Sequence, residues 1–275
     1  MKDSSFTKLV EVMAQLRSPQ GCPWDREQTH ASLKPYMLEE AYESLEAIDA
    51  ENDVELCAEL GDVLLQVVFH AQIARERESF DIDAVCQAIV DKLVRRHPHV
   101  FGDLEVDDAD TVVVNWERIK RDERAGAAQA ATSTLDGVPL PLPALLRAQR
   151  IQDKASRVGF DWQHIADPLD KVSEEFEELR RAWATEDPAA RRAETDSVGA
   201  GPDTVEEFGD LLFALVNVGR FLKVSSEDAL RLAGDKFERR FRALEERFRG
   251  SDRELEEVGL EEMDAVWEEI KKTEG

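Results

Sequence analysis

Residues 59–68 read ELGDVLLQVV, and residues 207–216 read EFGDLLFALV. In both stretches apolar residues occupy nearly every side of the helix their spacing predicts. A helix that is apolar all round is normally buried. The polar exceptions fall on one stripe: Glu59, Asp62 and Gln66 in the first, Glu207, Asp210 and Asn217 in the second. A carboxylate at the edge of a buried helix costs several kcal/mol if it is unpaired, so it calls for a cation or a proton.

The recurrence extends outward in order. LEEAYESLEAI at 38–48 has its counterpart in EEFEELR at 174–180. KLVRRH at 92–97 returns as KFERRF at 236–241, and WERIK at 116–120 as WEEIK at 267–271. A tryptophan precedes each acidic helix: Trp24 in GCPWD and Trp162 in GFDW. Ordered self-similarity of this kind marks a repeated structural unit. No segment alternates as a strand does, and TVVVNW at 111–116 runs into ERIK as the start of a helix. The expected fold is all-α: two tandem helical-bundle modules of four or five helices each, dimerising through apolar surface that one module cannot cover.

The first module is expected over 1–125, a linker over 126–143 and the second module over 144–275. From Glu40 to Glu175 is 135 residues, whereas from Asp62 to Asp210 is 148. The second copy therefore carries thirteen extra residues, placed in a mobile insertion at about 184–204, rich in Ala, Asp, Gly and Pro.

Composition excludes some functions. The formal net charge of −25 repels nucleic-acid backbones, so no nucleic-acid partner is expected. The N-terminus lacks the apolar core of a signal peptide, and no apolar run approaches a membrane span. Three scattered cysteines, Cys22, Cys57 and Cys86, read as reduced thiols. The expected location is the cytoplasm, away from any membrane.

The acids suggest the chemistry. Glu40/Glu43 and Glu59/Asp62 are i,i+3 pairs on two successive helices, as are Glu175/Glu178 and Glu207/Asp210. If the two helices of a module pack antiparallel, the four carboxylates converge. Oxygen-only ligands suit Mg²⁺, with Mn²⁺ as the alternative, and Mg²⁺ shares its shell with substrate phosphates. The bland alternative for each pair is an ion pair with a nearby Arg or Lys. Lys236 and Arg240 share a helical face, and Lys271 lies one turn beyond Trp267, so cations and an indole stand ready for phosphates and a base. KFERRFRALEERF reads equally as an amphipathic helix with Phe237, Phe241 and Leu244 inward. GAG at 199–201 lacks the Lys-Ser/Thr of a phosphate loop.

The strings GCPWDREQT, LEEAYE, ELGDVLLQVVFHAQ, DKLVRRHPHVFGD and, later, VGFDW, KVSEEFEEL, EEFGDLLFALVN and KFERRFR resemble, in that order, the MazG family of tandem-domain nucleoside triphosphate pyrophosphohydrolases. The resemblance implies an all-α homodimer that hydrolyses an NTP or dNTP to the monophosphate and pyrophosphate with Mg²⁺. It implies metal ligation by Glu175, Glu178, Glu207 and Asp210. It places Lys171, Glu174, Glu206, Lys236, Arg240 and Trp267 near the nucleotide. Glu174, not fully used as a ligand, is the candidate to orient or deprotonate the attacking water. The second copy is expected to do most of the work. One departure stands out: where the family has a lysine ahead of the EEFGD-type motif, this chain has Asp203 beside the long insertion. The competing reading is a catalytically weak, nucleotide-binding helical dimer acting as a regulator or protein-interaction module.

Overall fold

The computed structural model describes residues 4–104, 106, 108, 111–112, 115–116, 118–119, 123, 133–186, 200–249, 255 and 258–273. All regular structure among them is helical. The chain divides into two compact units, Met1–Ala127 and Ala128–Gly275.

In the first unit α1 (Ser5–Leu16) begins where the Ser4 hydroxyl accepts the Thr7 backbone N–H at 3.2 Å. That is an N-cap satisfying a donor the helix leaves open. The short α2 (Pro23–Glu27) leads to α3 (Lys34–Asp49) and α4 (Asp53–Glu76). Only three residues separate α3 from α4, which forces an antiparallel hairpin. Asn52 caps α4 by accepting the Glu55 N–H at 3.2 Å, and Asp53 and Glu55 complement the positive end of the helix dipole. Asp81 caps α5 (Ile82–Arg96) in the same way, and Pro98 opens the four-residue α6 (Pro98–Phe101). The core gathers Met13, Leu33, Val68, Phe69 and Ile73. Arg17 ties it together: its side chain, 6% exposed, bonds both Glu76 oxygens at 2.8 and 2.7 Å and the carbonyls of Asp25 and Gln28. Thr111, Val112, Asn115 and Trp116 are helical.

The second unit contains α7 (Ala144–Ser156), α8 (Ala166–Thr185), α9 (Pro202–Phe221), α10 (Ser226–Arg249) and α11 (Leu260–Thr273). The α8–α9 pair is packed together as the α3–α4 pair is; α7 packs on α9 and α10, and α10 on α11. Leu244, Phe248, Val258 and Ile270 form a core at the α10–α11 end. Residues 126–132 of the expected linker and 187–199 of the expected insertion lie outside the described residues.

Three expectations are corrected. Burial on α4 is confined to its C-terminal half, from Gln66 to Ala74, while Leu60 is 53% exposed. Leu64 is exposed as well, so the apolar ring around the first half is incompletely covered among the described residues. By length and composition α4 also passes as a membrane span, with a mean hydropathy of 1.3 in its most apolar window, a test that core helices of soluble proteins pass too. On α10 it is Leu244 and Phe248 that turn inward; Phe237 is 57% exposed and stacks on Phe241.

Candidate metal centre and nucleotide cavity

The α3–α4 hairpin brings Glu40, Glu43 and Glu59 together, with one carboxylate oxygen from each within 4.8 Å of the others. The α8–α9 pair does the same with Glu175, Glu178 and Glu207. Asp62 and Asp210 stand outside these triplets yet close enough to act on them. Partial burial, then Asp62, Glu43 and Glu59, hold the Glu40 carboxyl above the usual carboxylate range. Partial burial, Glu43 and Asp62 do so for Glu59. Partial burial, then Glu178, Glu175 and Asp210, raise Glu207. Carboxylates that resist ionisation because they crowd one another are a donor set short of a cation. All donors are oxygens, which fits a hard divalent ion.

The two clusters differ in what balances them. In the second unit Lys171 Nζ lies 2.7 Å from Glu175 Oε1 and 2.9 Å from Glu174 Oε1, and Arg181 bonds Glu178 at 3.2 Å. These carboxylates hold the Lys171 ammonium well above the usual lysine range. Glu175 is 6% exposed. In the first unit the positions matching Lys171 and Arg181 are Tyr36 and Glu46. Tyr36 sets its ring edge against Trp24, with centroids 5.9 Å apart. Among the described residues no Lys or Arg pairs with Glu40, Glu43 or Glu59.

A cavity of about 740 Å³ opens beside the second cluster. Lys171, Glu175 and Asp210 belong to its wall, with Phe160 and Trp162 at another side. The loop bearing these aromatics starts at Gly159, whose φ of +87° suits glycine. It is anchored by Arg220, which clasps the Asp161 carboxylate and the Asn217 side-chain amide oxygen Oδ1. Gln152 crosses from α7 to donate to the Phe213 carbonyl at 2.8 Å, leaving its own buried Oε1 without a partner. The space exists because α9 carries Ala214 and Asn217 where α4 carries Gln66 and Phe69. Those two side chains are 5% and 3% exposed and fill the first unit.

The remaining sequence-derived candidates sit elsewhere. Lys236 and Arg240 are on α10 and Trp267 and Lys271 on α11; none lines this cavity. Trp267 packs on Phe237 at 5.2 Å and Lys271 pairs with Glu268. In the first unit the basic repeat is committed to structure, Arg95 and Arg96 both bonding Glu123 at 2.6 Å and drawing its carboxyl down to about 2. Asp203 stands in the first turn of α9, where it complements the helix dipole. Glu206 is exposed beside Glu207. The motif reading missed Gln152, Asp161 and Arg220. Only the period of α9, which stacks Arg220 above Asp210, Phe213 and Asn217, pointed toward the last of these.

Comparison with known proteins meets this geometry. A family model described as the MazG nucleotide pyrophosphohydrolase domain matches residues 28–101, the span holding the first acid cluster. A nucleoside triphosphate pyrophosphohydrolase of Escherichia coli (strain K12) is 47% identical over 272 residues, covering 98% of both chains. The chain belongs to the MazG family. A MazG nucleoside triphosphate pyrophosphohydrolase/pyrophosphatase of Thermotoga maritima is 48% identical over 266 residues, 97% of this chain and 95% of its own. The Bacillus subtilis protein YabN is 47% identical over 98% of this chain but only 52% of its own length.

Proposed function

We propose that this MazG protein hydrolyses nucleoside triphosphates to the monophosphate and pyrophosphate, that its second unit does the work, and that the metal is Mg²⁺, with Mn²⁺ as a substitute. The observation that carries the reading is the shared wall: Glu175 belongs at once to the acid triplet and to a cavity of nucleotide size, and Asp210, on the same wall, is close enough to raise Glu207. Glu175, Glu178, Glu207 and Asp210 would hold the cation. Bound there, it supplies charge neutralisation on the phosphates and makes water acidic enough to attack.

The chain's own groups do the rest. Phe160 and Trp162 offer faces on which a base can stack, worth about 1–3 kcal/mol. Lys171 reaches a non-bridging phosphate oxygen from the cavity wall. The water oxygen bonds to phosphorus as the linkage between the α and β phosphates breaks. Pyrophosphate leaves, and a Glu174 carboxylate oxygen takes the proton. General-base help of this kind contributes about 10²–10⁴-fold.

The two units are read as copies of one module, with the first structural or regulatory because Gln66 and Phe69 occupy its counterpart of the cavity. The apolar surface left on α3 and α4, including Tyr42, Leu45, Leu60 and Leu64, is read as the face covered by a second copy in a homodimer. The cytoplasm, where triphosphates are made and consumed, is the place of work, in keeping with three free cysteines.

The test is pyrophosphate release from a mixed NTP and dNTP pool, with Mg²⁺ or with excess EDTA, for the wild type, Glu207→Ala and Glu59→Ala. Turnover is expected to vanish in EDTA and in Glu207→Ala, and to persist in Glu59→Ala. Undiminished release in EDTA removes the metal from the reaction, and the reverse pattern of variants moves the site to the first unit.

A further inference from the structure

The ion pair inside the second cluster has a consequence for how that site is loaded. Glu175 is the most buried member of its triplet, and Lys171 Nζ sits on its Oε1 at 2.7 Å. A divalent ion bonding the same carboxylate at about 2.0–2.1 Å would face that ammonium at close range, and the two cations repel. The first unit presents no such conflict, since Tyr36 occupies the matching position with its ring against Trp24.

We propose that Lys171 is an internal counter-ion competing with the divalent cation for Glu175, so that the second site binds the ion weakly until a polyphosphate joins it, whereas the first fills alone. Lys171 lines the cavity as well as touching the cluster, so its stem can turn from Glu175 toward incoming phosphate oxygens without leaving the site. The polyphosphate supplies the negative charge that the lysine gives up. Metal is then held firmly only with the nucleotide, and an idle second site holds a water-activating cation weakly. The first cluster, with its crowded carboxylates and no ammonium on them among the described residues, takes up the ion without displacing anything. This rests on the reading above that the second cluster holds a divalent metal, extended to the first cluster on its matching carboxylates.

The experiment is Mn²⁺ binding to the full chain without nucleotide, followed by the paramagnetic resonance signal of free Mn²⁺. The wild type should show one stronger and one weaker site. Lys171→Met should tighten the weaker site roughly tenfold, about 1.4 kcal/mol. Lys171→Arg, which keeps the charge, should leave it weak. Tyr36→Lys should loosen the stronger site by a similar factor. A non-hydrolysable triphosphate analogue should tighten the weaker site of the wild type by much more than that of Lys171→Met. Mn²⁺ binding unchanged or weakened in Lys171→Met, or unchanged at the first site in Tyr36→Lys, overturns the proposal while leaving the metal sites standing. If Lys171→Met fails to fold, Lys171→Arg and Tyr36→Lys decide. No Mn²⁺ binding to the wild type, with or without the analogue, overturns the metal reading itself.

Discussion

Replacing Lys171 with methionine should cost the metal-free protein stability that added metal restores. The substitution keeps most of the apolar stem and removes the charge. Glu175, 6% exposed, then loses a charge-assisted bond of 2.7 Å and remains beside Glu178 and Glu207. Breaking a fully buried pair costs about 3–5 kcal/mol. Lys171 is 37% exposed, so solvent screens the pair, and about 2 kcal/mol is the expected loss. For a unit spanning Ala128–Gly275 that lowers Tm by about 4–8 °C. The assay is calorimetric unfolding in EDTA and in millimolar Mg²⁺, with Lys171→Arg as the control that retains the charge. Mg²⁺ should stabilise Lys171→Met more than the wild type. The pH dependence has a definite sign. Glu207 is raised above 4.5 by partial burial and then by Glu178 and Glu175, so its contribution is fully present below pH 4.5 and lost as pH rises through its folded value. The stabilisation that Mg²⁺ gives the wild type should therefore shrink on acidification, as Glu207 takes up a proton in place of the cation. A variant as stable as the wild type in EDTA, or one that Mg²⁺ stabilises no more than the wild type, refutes the idea that the lysine stands in for the metal.

Ala214→Gln, which gives the second cavity the side chain found in the first unit, should lower kcat/KM by about 10–100-fold through lost base stacking, measured by pyrophosphate release; unchanged kinetics would place the base elsewhere. Arg17→Met should destabilise the first unit by about 2 kcal/mol, read as a downward shift of one calorimetric transition with hydrolysis retained. Because Arg17 lowers the Glu76 carboxyl below 4.5, the wild-type advantage should be full above that pH and fade as pH falls through the lowered value. Light scattering at micromolar concentration should give a dimer of the 31.1 kDa chain, and Leu60→Glu with Leu64→Glu should shift it toward monomer; a wild-type monomer would leave the α3–α4 face unexplained.

The sequence by itself determined the helical class and the acid pairs. Periodicity places Glu40 with Glu43 and Glu207 with Asp210 on one helix face whatever the helix packs against. The antiparallel packing on which their convergence depended was a condition the sequence left open; the three-residue connection at 50–52 between α3 and α4 meets it. The ordered strings also carried the family resemblance. What the sequence left open was which neighbours those faces would meet. The family resemblance placed Lys171 near the nucleotide, but nothing in its spacing set its ammonium on Glu175; that contact exists only once α8 is folded. The cavity was equally illegible, because it is made by absence: Ala214 and Asn217 matter only against Gln152 on α7 and the loop held by Arg220. Lys236, Arg240 and Trp267, patterned for phosphates and a base, lie on the α10–α11 pair and outside the wall of this cavity, a placement the sequence could not give. Local spacing fixes which side chains share a face, since that follows from 1.5 Å of rise per residue. Which of them become a site depends on long-range packing, where one side chain's volume or charge decides whether a space is filled, paired or left open.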